Sequence, residues 1–183
     1  MNLKKNLIQI KKCPICKKIK FSKLGKINNI HKDLKDLFDL IECKNCKHWF
    51  LSKMPKKEFL NDLYKNESHY VFGENHVSNF LKDLNTNAYI PNHWIYKNMK
   101  NQKKGNYLEV GPGACALLNT FKKNGWRCQG YESSKWIKSD DVVHDINKIN
   151  KHNHEVLVFH DVLEHIVDPI SFLKEFRKKK KKG

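Results

Sequence analysis

Four of the six cysteines stand in two identical C-x2-C pairs, Cys13-Pro-Ile-Cys16 and Cys43-Lys-Asn-Cys46. A C-x2-C turn aims two sulfurs at one point, and two such knuckles supply the closed tetrahedral shell of a structural zinc ion. A redox function needs only one such pair and leaves the second unexplained. With four thiolates the shell is full, so the metal holds the fold and does no chemistry. A second chemical segment is Tyr107-Leu-Glu-Val-Gly-Pro-Gly-Ala-Cys-Ala-Leu-Leu. Its Gly111 and Gly113 allow a tight turn and a close approach of backbone to a ligand. Gly111-x-Gly113-x-x-Ala116 also satisfies the dinucleotide fingerprint, so the glycines alone do not choose the ligand. Glu109, however, places a carboxylate two residues before Gly111, where a nicotinamide-binding strand is wholly apolar. Arg127-Cys-Gln-Gly-Tyr-Glu132 then ends in a second carboxylate, 21 positions after Gly111, suited to accepting both hydroxyls of a ribose.

These residues require elements to hold them. The 26 residues between the knuckles exceed the usual ribbon gap and predict an inserted loop around Lys23 to Lys35. His48 reads as an exposed side chain, and Cys115 and Cys128 as buried small apolar residues. Pro55 marks a break, after which Lys56 to Tyr64 reads as a short helix with Phe59, Leu60 and Leu63 on one face. Val77, Phe80, Leu81 and Leu84 follow at helical spacing, and Pro91 opens a further helix carrying Trp94, Ile95 and Met99. These helices join and brace two modules; the alternative is that Tyr64, His69, Tyr70 and Phe72 help close a pocket. Strand, glycine turn and helix follow from residue 107, and a short strand Val142-Val-His-Asp145-Ile comes later. Last is Glu155-Val-Leu-Val-Phe-His160-Asp-Val-Leu-Glu164-His165, an apolar strand running into a loop. Asp168 can cap the next helix, Pro169 can take its first position, and Ile170, Leu173 and Phe176 form its buried face.

The acidic residue followed by Gly-x-Gly, the carboxylate ending the second strand and the His-x-x-x-Glu-His turn together resemble class I S-adenosylmethionine-dependent methyltransferases. The double C-x2-C front, followed by Trp-Phe-Leu, a proline and a Leu-Tyr segment, resembles the zinc-binding module that precedes many small-molecule methyltransferases. The resemblance implies that Glu109 serves the cationic amino group of the cofactor, whose ammonium a carboxylate suits. It places Gly111, Gly113, Glu132 and His160 in the cofactor site, and Asp145 at the adenine amino group. It also makes His160 and His165 candidates for general base or acceptor contact, with Glu164 orienting a neighbour. Cys115 departs from the family pattern by replacing the third glycine. Lys178 to Lys182 and Gly183 stand where the family reaches a Lys-Pro-Gly-Gly turn and further strands, so the expectation is a C-terminally truncated domain.

The expected fold is therefore α/β: an incomplete Rossmann-like methyltransferase sheet of about four strands, preceded by a small zinc-ribbon module and linker helices. The expected divisions are 1–55 for the zinc-ribbon-like module, 56–104 for the helical linker or cap, and 105–183 for the N-terminal part of the methyltransferase domain. The expected cofactors are S-adenosyl-L-methionine and a structural Zn2+ held by Cys13, Cys16, Cys43 and Cys46. The expected function is methyl transfer to a small molecule, a sugar or another biosynthetic intermediate. The alternatives are an RNA base methyltransferase and a truncated, non-catalytic zinc and nucleotide-binding protein.

The 183 residues carry a formal net charge of +17, and 39% are hydrophobic, which excludes a disordered polycation. Every basic residue except Arg127 and Arg177 is lysine, scattered through all segments. Base readout and bidentate phosphate clamps favour arginine, so nucleic acid is not the favoured partner. The apolar run Leu7-Ile8-Gln9-Ile10 is too short for a signal-peptide core, and no stretch approaches a membrane span; the expected location is cytoplasmic, with no membrane partner.

Overall fold

The computed structural model describes residues 3–27, 38–59, 89–133, 137, 139–149 and 153–180. The expected helix at 77–84, most of the one at 56–64, and Tyr64, His69, Tyr70 and Phe72 lie outside them; residues 57–59 are helical. The chain divides into two compact units, Met1–Leu63 with Val167–Ser171, and Tyr64–Ile166 with Phe172–Gly183.

The first unit is built from short antiparallel strands. β1 (Leu7–Gln9) pairs with β5 (Lys53–Pro55), and β2 (Phe21–Ile27), β3 (Phe38–Cys43) and β4 (Trp49–Leu51) form a three-stranded sheet in that order. Lys23 through Ile27, expected as part of an inserted loop, lie in β2 and pair with Ile41 back to Phe38, with a bulge between Lys23 and Gly25. The lysines at 23 and 26 conceal the strand period, because no side chain of β2 is fully buried and alternation shows only where one face is covered. Ser52 joins β4 to β5: its N–H donates to the Asp39 carbonyl at 2.8 Å, and its hydroxyl accepts the Asp39 N–H at 3.2 Å. His48 is half-buried rather than exposed, its ring stacked on Phe50 at 5.8 Å.

The second unit holds a parallel sheet of β6 (Asn106–Val110), β7 (Arg127–Tyr131), β8 (Val142–Val143) and β9 (Val156–Phe159), in the order β8-β7-β6-β9. Alternation along β6 sorts its residues between two cores. Tyr107 joins the cluster that contains Ile95 and Tyr96 of α1 (Trp94–Met99) and Leu117 and Phe121 of α2 (Ala116–Lys123). Leu108 and Val110 pack instead with Phe176 of α3 (Pro169–Arg177). Tyr107 stacks on Phe121 at 4.2 Å, and Trp126 packs edge-on against Phe121 at 5.5 Å; burying each large apolar side chain is worth about 1.5–3 kcal/mol. Asp168 caps α3 as expected, accepting the Ser171 N–H at 3.3 Å and hydroxyl at 2.8 Å, with Pro169 in the first position. Of the expected face Phe176 is fully buried, while Ile170 and Leu173 are half-buried; Phe172, also half-buried, joins the face by packing on Phe176 at 4.8 Å. Cys115 is buried and Cys128 partly so, both in one apolar cluster. Among the described residues no helix is long and apolar enough to cross a membrane.

His154 is 3% exposed, and neither ring nitrogen has a hydrogen-bond partner among the described residues. Burial holds its pKa below the usual imidazole value of 6.5, so the folded protein carries it neutral. The unfolded chain takes up the proton first, and stability present above pH 6.5 is lost as the pH falls further. Chemical denaturation at pH 7.5 and pH 5 is expected to show this loss in the wild type and a smaller one in His154→Leu.

Candidate active site and metal centre

The two cysteine knuckles have the same backbone design. In the first, the Lys17 N–H donates to the Cys13 carbonyl at 3.0 Å, and the Cys13 N–H to the Lys18 carbonyl at 2.8 Å; in the second, Lys47, Cys43 and His48 repeat the pattern at 2.9 Å for both bonds. Each knuckle closes through a lysine in the left-handed region, Lys17 at φ 62° and Lys47 at φ 61°, a conformation costing roughly 1–2 kcal/mol for a residue with a Cβ. The four sulfurs converge within 4.8 Å of one another, with Cys13 and Cys46 3.6 Å apart and Cys16 and Cys43 3.5 Å apart. The edge of a tetrahedron with metal–sulfur bonds of about 2.3 Å is about 3.8 Å, so the cluster fits one zinc ion. The thiols also oppose one another electrostatically. The Lys18 N–H, with help from the neighbouring thiols, lowers Cys16 to about 6. At Cys46 the His48 N–H pulls in the same direction, but burial and the other three thiols outweigh it and push the group up to about 12. A bound cation would favour the thiolate at Cys46.

In the parallel sheet, the chain leaves β6 toward β7 and β8 and returns to β9 on the opposite side of β6. Ligands of open α/β sheets bind at the carboxyl ends beside such a reversal. Val110 pairs with Tyr131 in β7 and with Phe159 in β9, so Gly111, Glu132 and His160 each follow a strand end at one level. Tyr131 pairs with Val143, which sets Asp145 two residues beyond its own strand end. The topology thus brings the expected cofactor residues of four loops to one edge. Gly111 turns at φ 69°, its N–H donating to the Tyr131 carbonyl at 2.9 Å, and a Cβ there would lie 2.7 Å from Val162 Cγ2. Gly113 lies at φ 50°, and Cys115, in place of the third glycine, holds φ 59° at the start of α2.

Glu109 is 3% exposed in the middle of β6, between Gly130 and Val158. Burial drives its pKa up to about 8, although the Tyr107 hydroxyl donates to its Oε2 at 3.2 Å. At neutral pH the carboxyl is largely protonated, and an approaching cation would ionise it. A buried acid with one neutral donor gains little for the fold, which is the pattern expected of a binding group. A buried carboxyl, a glycine turn without room for a Cβ and a carboxylate following the next strand fit a nucleoside bearing a cationic group.

The remaining expected residues are placed less uniformly. Asp145 is exposed and caps a short 3-10 turn, Ile146–Lys148, through the Asn147 N–H at 2.9 Å. His160 is half-buried, its Nε2 3.6 Å from Asp161 Oδ2. Glu164 and His165 stand exposed on the single 3-10 turn Leu163–His165. Three residues not singled out as site residues in the sequence join this edge. His144 Nδ1 lies 2.9 Å from the Glu132 carbonyl, which can only accept, so Nδ1 carries the proton. His93 and Trp94 pack beside His160 at ring distances of 4.7 and 6.5 Å. The sequence marked Trp94 only as part of an expected helix and gave His93 no role.

A parallel sheet in this order, with an acid and a glycine turn at its reversal, defines a class I methyltransferase fold. Residues 86–183, more than half of the chain, match the family model described as a methyltransferase domain, and the chain belongs to that family, whose chemistry is methyl transfer. No curated protein matches the chain.

Two outcomes follow from the electrostatics. Metal analysis should find one zinc per chain in the wild type and none in Cys43→Ser, and a strong chelator should lower the thermal midpoint of the wild type alone. Glu109, with its pKa raised from 4.5 to about 8, contributes stability that is complete below pH 4.5 and lost as the pH rises through about 8. Between pH 6 and 9 the ligand-free wild type should lose roughly 2–3 kcal/mol on this account, at about 1.4 kcal/mol per unit, whereas Glu109→Gln should show a flatter profile in urea denaturation.

Proposed function

We propose that the protein transfers a methyl group from S-adenosyl-L-methionine to a small-molecule acceptor, a sugar or another biosynthetic intermediate. The observation that carries this reading is the buried Glu109 carboxyl two residues before the left-handed Gly111 turn, at the sheet's reversal point. When bound, the cofactor supplies an electrophilic methyl carbon. Glu109 ionises against its amino group, Glu132 accepts from the ribose hydroxyls, and Gly111 and Gly113 let the backbone come close. Asp145 meets the adenine amino group, and His160 borders the cofactor at the end of β9. His160 or His165 removes the acceptor's proton, with Glu164 orienting a neighbour. The thiolate-bound zinc is structural, because its four sulfurs leave no position for a substrate.

A small acceptor is supported by the basic residues being lysine apart from Arg127 and Arg177, without the planar forks that read bases. A cytoplasmic location accords with four of the six cysteines being gathered as candidate metal ligands rather than paired in disulfides. Calorimetric titration of the zinc-loaded protein with S-adenosylhomocysteine should give one-to-one binding. Glu109→Ala should weaken it at least tenfold and His165→Ala by less than threefold. Absence of binding by the folded wild type would overturn the reading, and equal losses in both variants would overturn the role given to Glu109.

A further inference from the structure

We propose that His93, Trp94 and His160 form the acceptor-binding surface, and that the acceptor presents a six-membered ring with an apolar face and a hydroxyl at its edge. The inference rests on the methyltransferase reading for the word acceptor, but the surface itself stands on geometry. Trp94 is 63% exposed, although its neighbours Ile95 and Tyr96 in α1 are buried. An exposed indole forfeits the burial that stabilises Trp126, which is 4% exposed. Trp94 is nonetheless held in place, with the His93 ring nearly parallel to it at 6.0 Å and 26°, and the His160 ring crossing His93 at 4.7 Å and 88°. These separations lie in the range of favourable aromatic pairs. His160 directly follows β9, so the three rings lie at the carboxyl edge of the sheet, on the β9 side of the reversal, where Val162 of the same loop meets Gly111.

The chemistry of the rings selects the ligand. The Ile95 N–H donates to His93 Nδ1 at 3.3 Å, so that nitrogen is an acceptor and the neutral ring carries its proton on Nε2. Burial and the neighbouring His160 keep His93 neutral by lowering its pKa below 6.5. The His93 acceptor is taken by Ile95, so its Nε2–H is left as a donor for a ligand hydroxyl, and the indole beside it supplies a flat apolar face. A phenol and a pyranose both offer that combination.

The zinc-loaded protein, with and without S-adenosylhomocysteine, is titrated with phenol and with methyl α-glucopyranoside, and binding is followed by tryptophan fluorescence and calorimetry. At least one probe is expected to bind at millimolar concentration and to quench Trp94. Trp94→Ala should weaken it at least tenfold and Trp94→Phe less than threefold, with an unchanged far-ultraviolet circular dichroism spectrum. Binding of phenol alone assigns an aromatic acceptor, and binding of the glucoside alone a sugar. Failure of both probes, or wild-type affinity in Trp94→Ala, overturns the proposal. Failure of S-adenosylhomocysteine with probe binding intact overturns the methyltransferase reading and leaves the ring-binding surface standing.

Discussion

Burying an ionisable carboxyl in the central strand of a parallel sheet is the constraint around which the second unit is arranged. Glu109 has β7 on one side and β9 on the other, so its backbone is fully committed and its side chain cannot swing into water. The cost of its burial is offset by what surrounds it. Tyr107, two residues earlier on the same side of the strand, both packs into the aromatic core and donates to the carboxyl. The glycine turn that follows gives the strand end a sharp reversal, and Val162 closes against Gly111 where any side chain would collide. A group so placed is poised between its neutral and charged forms, which makes its ionisation sensitive to a single neighbouring charge.

The first unit solves a different problem. Its strands are three to seven residues long, and most of their side chains are half-buried or exposed. Few buried apolar side chains are available, Cys13, Phe38, Ile41, Cys43 and Phe59 among the described residues. Two of those five are candidate metal ligands. A small unit with so little apolar core is served by a covalent or metal staple, and the paired knuckles gather the ligands for one at the cost of two strained lysines. Four sulfurs gathered at one point suit a bound cation, and binding one there would stabilise this unit.

The two kinds of aromatic residue in the second unit have separate roles. Tyr107, Phe121 and Trp126 are inside and fix how α1 and α2 pack on the sheet. Trp94 is outside, yet it belongs to the same short helix as the buried Ile95 and Tyr96. The rigid core therefore sets the position of an exposed indole, which is the condition for a binding surface that does not have to be ordered by its ligand.

The cysteine pairs, the acid before Gly111, the carboxylate ending β7 and the cap of α3 were legible in the sequence because each depends on spacing within one turn or one strand. β9 was legible as a short apolar run bounded by turn residues, and β6 and β7 through the glycine turn and the carboxylate that follow them. What stayed hidden depends on partners distant in the chain. β2 does not show as a strand because lysines mask its period, and only pairing with β3 satisfies its backbone. His48 looks like an exposed residue until Phe50 is folded beside it. In α3 the helical period marks Phe176 but not Phe172, which joins it through the ring of Phe159 in β9. The contact of His93 with His160 joins residues 67 positions apart, and no local pattern encodes it. The sequence by itself determined which residues could bind metal and nucleoside, because those chemistries are set by side-chain type and short spacing. Only the tertiary structure decided the protonation of Glu109 and the presence of a ring-lined surface, because burial and long-range packing exist only once the sheet has formed.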